Sequence, residues 1–107
     1  SIEATISALE NNTASAVCLE HCNLSLSLQC FAPALQNNTS MIALDITEGQ
    51  TASEDAKFIV QALETNITLT TLIKHNSSPL RAFNEQIKAI LMRNKAGMQI
   101  LTLHLFQ

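Results

Sequence analysis

The sequence predicts an α/β solenoid with parallel β-strands on a concave side and α-helices on a convex side. Three observations predict it. One phrase is written four times, a short apolar alternation follows each copy at the same period, and a stretch of helical spacing precedes each copy.

The phrase is apolar-Leu-x-Asn-Asn-Thr, in Ala8-Leu9-Glu10-Asn11-Asn12-Thr13 and Ala34-Leu35-Gln36-Asn37-Asn38-Thr39. It returns as Ala62-Leu63-Glu64-Thr65-Asn66-Ile67-Thr68 and, worn, as Ile90-Leu91-Met92-Arg93-Asn94-Lys95. From Leu9 to Leu35 to Leu63 to Leu91 the steps are 26, 28 and 28. The alternations pair Val17 with Leu19, Leu44 with Ile46, Leu72 with Lys74 and Leu101 with Leu103, so their first members step by 27, 28 and 29. Two landmarks sharing one period define a repeating unit of helix, Asn-rich turn, strand and loop. One such unit cannot bury its apolar face, but stacked neighbours can.

Helices are expected where Ile2, Ile6 and Leu9, Leu28, Phe31 and Leu35, Ala56, Ile59 and Leu63, and Phe83, Ile87, Ile90 and Leu91 recur at helical spacing. Ser53 before Glu54 and Asp55, and Ser78 before Pro79, are start signals, since acids and proline suit a first helical turn. Pro33 falls where the second helix should run and predicts a kinked or short helix there. The asparagines are expected to end helices by taking the left-handed conformation.

In the first copy Ala14, Val17, Leu19, Cys22 and Leu24 occupy the pattern L-x-x-L-x-L-x-x-N/C-x-L; Met41, Leu44 and Ile46, then Leu69 and Leu72, then Met98, Leu101 and Leu103 follow it in part. On these residues the chain resembles the leucine-rich-repeat proteins of the ribonuclease-inhibitor-like class, in about four degenerate 28-residue repeats. Gly49 stands where the pattern wants Asn, Asn76 comes one residue early, and Lys74 takes an inward slot, an awkward place for an ammonium. The resemblance implies protein binding through the concave sheet.

Side chains alternate along a strand, so the residues between the inward ones face the concave side. They form three ladders: Ala16, Ala43, Thr71 and Ile100; Cys18, Asp45, Ile73 and Thr102; Glu20, Thr47, His75 and His104. The candidate partner-binding residues are Glu20, Asp45, Thr47, Thr71, Ile73, His75, Ile100, Thr102 and His104.

Composition narrows the function classes. With 47% hydrophobic and 14% charged residues the chain has apolar material for a core, and its 107 residues predict one domain over 1–107, open to being a fragment of a longer protein. A net charge of −3 with six unclustered Lys and Arg argues against nucleic acid. No run of 18 apolar residues is present, so no membrane partner is expected. Three cysteines, an odd number, suit a reducing compartment: the cytoplasm, or the host cytosol for a secreted bacterial effector. Asn-x-Ser/Thr triplets at Asn11, Asn37 and Asn66 fall on the repeating phrase, whose turn explains them without glycans.

Glu20, His21 and Cys22 with His75 and His104 make only a scattered metal set, and Cys18 with a concave histidine makes a catalytic pair only across two repeats. No metal, cofactor or catalytic residue is therefore expected. The sequence reads as a non-catalytic protein-interaction module. The alternatives are a substrate-recruiting or regulatory segment of a larger enzyme or bacterial effector, and a homo-oligomer formed through exposed repeat ends.

Overall fold

The computed structural model describes residues 2–19, 23–24, 27–47, 51–75 and 78–105, with side chains of the last helix described as far as Gln99. Helices and strands alternate: α1 (Ile2–Glu10), β1 (Ala16–Cys18), α2 (Leu28–Asn37), β2 (Ala43–Asp45), α3 (Ala56–Thr65), β3 (Thr71–Ile73) and α4 (Asn84–Leu105). Short 3-10 turns, Ser53–Asp55 and Pro79–Phe83, lead into α3 and α4. Of the two start signals only Ser78 caps its turn; Ser53 lies inside its own, which has no side-chain cap hydrogen bond. Ser78 accepts a hydrogen bond from the Leu80 amide at 3.2 Å, with Pro79 in the first turn. Pro33 lies inside α2, which still runs ten residues.

The strands form one parallel sheet in the order β1-β2-β3. Ala16 lies beside Ala43 and Thr71, Val17 beside Leu44 and Leu72, and Cys18 beside Asp45 and Ile73. The middle member of each strand turns inward towards a core that includes Leu9, Phe31, Leu35, Met41, Ile59, Leu63, Leu69 and Leu80. Leu44, flanked on both sides, is buried, whereas Val17 and Leu72 on the edge strands are half-buried. The helices α1, α2 and α3 pack in sequence and α4 packs on α3.

This architecture corrects the sequence-based expectation. The chain is a small, mostly helical α/β unit with three short strands, not a solenoid of four strand-plus-helix repeats, and the ribonuclease-inhibitor-like leucine-rich-repeat assignment falls with the fourth unit. Where a fourth strand was expected at Leu101 and Leu103, α4 continues unbroken for 22 residues. The radius of gyration, 13.6 Å, is near the ~13 Å of a compact chain of this length.

The role of the asparagines is corrected too. Among the described residues only Asn12 is left-handed, at φ 54°. Asn38 and Asn66 are extended, at φ −69° and −73°, and they act through their side chains. Asn38 Nδ2 donates to the Leu9 carbonyl at 2.9 Å and to Asn12 Oδ1 at 3.1 Å, while its Oδ1 accepts from the Ser40 and Met41 amides at 3.1 and 2.8 Å. One unit on, Asn66 Nδ2 donates to the Leu35 and Asn38 carbonyls at 2.9 and 3.2 Å, and its Oδ1 accepts from the Thr68 and Leu69 amides at 3.0 and 2.8 Å. Asn94 Nδ2 donates to the Asn66 and Leu69 carbonyls at 3.0 and 2.8 Å. All three amides are buried.

The fourth copy fails at this point for a local reason. In the second and third copies the residue two beyond the asparagine is Ser40 or Thr68, whose hydroxyl donates to Ala14 or Met41 of the preceding strand segment. The equivalent residue after Asn94 is Ala96, which has no hydroxyl and favours helix, and Lys95 and Met98 around it favour helix as well. The amides that would cap Asn94 Oδ1 stay in the helix ladder, and the Arg93 guanidinium donates to it instead, at 3.0 and 2.8 Å.

Two outcomes test this picture. Asn66→Ala, which strands two backbone amides and two carbonyls in the interior, should cost roughly 3 kcal/mol in urea unfolding, whereas Thr65→Ala on the exposed side should change stability by less than about 0.5 kcal/mol. Gly97 lies inside α4 with no atom within 4 Å of an added Cβ, so Gly97→Ala should stabilise the chain by up to about 1 kcal/mol. Destabilisation by that substitution would show that the helix breaks there.

Candidate functional site

The sheet's outward face is the candidate site. Ala16, Cys18, Thr71 and Ile73 are exposed on it and Ala43 and Asp45 are half-exposed, with Ile73 at 49%. Of the nine sequence-predicted residues, the register brings Asp45, Thr71 and Ile73 together on this face. Thr47 and His75 follow the ends of β2 and β3, both exposed. Ile100, Thr102 and His104 belong to α4 and not to a fourth strand, so the ladders end at β3. Glu20 lies outside the described residues, as do His21 and Cys22 of the scattered metal set.

Asp45 is the one ionised residue of the three strands and sits on the central one. Its Oδ1 accepts from the Thr47 amide at 2.9 Å. Hydrogen bonds from the Thr47 hydroxyl and that amide hold its carboxyl below the ordinary 3.8; desolvation opposes them, and the Cys18 thiol adds a lesser lowering. The pattern Asp-x-Thr was legible as a turn in which an aspartate accepts from the amide two residues on. The sequence reading placed Asp45 and Thr47 on separate ladders and missed that they act together.

The register separates Cys18 on β1 from β3, beyond which His75 lies, by two strand spacings, about 10 Å, so the concave Cys-His pair does not form; the thiol is beside the Asp45 carboxylate instead. Among the described residues no group of three His, Cys, Asp or Glu side chains could hold a metal ion. Lys74 is half-buried, and the pairing of β3 through Ile73 shows that the strand before it is not slipped. A cleft of about 510 Å³ between α1 and α2 is lined by residues including Leu9, Glu10, Cys30 and Pro33, and a smaller one of about 370 Å³ between α2 and α3 by residues including Pro33 and Phe58. Neither is lined by a histidine. Among the described residues no helix is long and apolar enough to cross a membrane.

The fold and site together define a small α/β unit with one bare sheet face. No protein-family model matches the chain and no curated protein does. Among solved structures the chain is similar to Leiomodin-1 Actin-Binding Site 2 (ABS2), with a TM-score of 0.41 and 14% identity over 96% of this chain and 94% of that one. A likeness of that degree transfers neither architecture nor activity.

The Asp45 geometry makes a prediction. Thr47→Ala removes the hydroxyl, and side-chain carboxyl titration by NMR should show the Asp45 pKa rising towards its ordinary value. Since folding lowers this pKa, the contribution of Asp45 to stability is present above about pH 4 and lost as the pH falls through the folded value. The Thr47→Ala variant should lose less stability on acidification than the parent chain.

Proposed function

We propose that the chain is a non-catalytic protein-interaction module that docks a protein partner on the bare face of its sheet. The observation that carries this reading is the exposure of one face of a parallel sheet. Parallel sheets are as a rule covered on both faces, because crossover helices usually pack on each side. Here the inward positions Val17, Leu44 and Leu72 meet the core, while Ala16, Cys18, Thr71 and Ile73 meet solvent. The residues that follow the strands, Thr47 and His75, extend the surface with polar groups suited to an interface rim.

A cytoplasmic setting goes with this reading, since Cys30 is an exposed free thiol and Cys18 an exposed thiol.

Hydroxyl-radical footprinting tests the site. When a partner is captured from a lysate, Ile73 should be protected, and a chain carrying Asp45→Ala, Ile73→Ala and His75→Ala together should lose the partner. Protection confined to the helices, or undiminished capture by the triple variant, would place the interaction elsewhere.

A further inference from the structure

The chemistry of the partner can be taken one step beyond docking, on the premise that the bare face is the docking surface. Asp45 sits on the central strand, and its neighbours in register are Cys18 on one side and Ile73 on the other. Neither is a cation. The nearest basic residues in sequence on that side are Lys74, half-buried on the alternate side of the strand, and His75, two positions beyond Ile73. Among the described residues the groups that contact the carboxylate, the Thr47 amide and hydroxyl and the Cys18 thiol of the neighbouring strand, are neutral donors.

While the face is wet, water solvates this anion. When a partner covers it, that water leaves, and a desolvated carboxylate is costly unless a counter-charge replaces the solvent. Protonation is the other escape, and the neutral donors oppose it because they favour the ionised form. The flanking residues restrict the shape of what approaches. Ala16, Ala43 and Thr71 are small and let a partner's backbone come close, and Ile73 offers exposed aliphatic surface beside the charge.

We propose that the partner presents a lysine or arginine to Asp45, with an aliphatic side chain alongside it against Ala43 and Ile73. The occupant is thus a basic protein segment, and acidic or uncharged segments are selected against.

A random decapeptide library displayed on phage, panned in parallel over the 107-residue chain and its Asp45→Asn variant, tests this. The wild-type chain should enrich peptides carrying Lys or Arg next to an aliphatic residue, and the variant should not. A synthetic enriched peptide should bind Asp45→Asn about fivefold or more weakly, and replacing its basic residue with norleucine should weaken binding to the wild type but not further to the variant. Asparagine keeps the acceptor that meets the Thr47 amide, and circular dichroism verifies that the variant is folded. Enriched peptides with no basic preference that bind both chains equally would overturn the charge assignment. If they also lose binding to Ile73→Asp, the docking face stands and only its partner chemistry falls. Peptides indifferent to Ile73→Asp, or no enrichment over the bare support, would overturn both.

Discussion

Three buried asparagine side chains, at positions 38, 66 and 94, hold the successive segments in register. Each donates its amide protons to the preceding segment, to backbone carbonyls and, from Asn38, also to the Asn12 side-chain amide oxygen, and in the first two the amide oxygen receives the backbone N–H groups where the chain leaves a helix for a strand. A buried primary amide costs little only when its groups are paired, and among the described residues no buried side-chain nitrogen or oxygen is unpaired. Sliding one segment by a residue would break the two bonds by which each asparagine reaches the preceding segment and turn every inward side chain outward. The strand register, with Val17, Leu44 and Leu72 side by side, follows from that constraint and not from the three-residue strands, which have too few ladder bonds to set it alone.

Much of this was legible in the sequence and some was not, for reasons that reside in particular residues. Helical spacing located the helices, and the alternation of Val17, Leu44 and Leu72 with their neighbours located the strands, because both signals report burial periodicity directly. The asparagines were visible as a repeat, but their job was misread. A backbone account explained Asn12 alone, whereas the Nδ2 bonds of Asn38 and Asn66 to Leu9 and Leu35 join residues about 30 apart in sequence and leave no local trace. The fourth unit misled for a different reason. Leu101 and Leu103 carry the strand alternation, yet a strand needs the chain to leave the helix first, and Ala96 removes the hydroxyl that ties the departing segment to its neighbour. Periodicity reports which face could be buried; it does not report whether the turn before it forms.

The candidate site divides the same way. Asp45, Thr71 and Ile73 share a face because alternation and register oblige them to, so their placement was readable. Ile100, Thr102 and His104 were assigned to the same surface on the strength of the fourth strand, and they leave it with that strand. Ile67, the most exposed large hydrophobic of the described residues, was not singled out at all. It stands where the second copy has Thr39, an aliphatic residue in a polar turn, which is the kind of local departure from a repeat that sequence can reveal.

A bare parallel sheet raises the question of how the free chain tolerates it. The answer lies in what the face is made of. Apolar surface left in water forfeits about 25 cal/mol per Å², and Ala16 and Ala43 have little of it to forfeit, while Thr71 and Asp45 keep their polar atoms solvated. Ile73 is the exception, and it sits on an edge strand next to the only ionised strand residue. A face built this way gives up little stability when empty, and by the same arithmetic it gains little apolar burial when filled. Affinity for the partner proposed above would then come from shape, from Ile73 and from the charge on Asp45, a combination that suits a partner which binds, is recognised by its chemistry and leaves again.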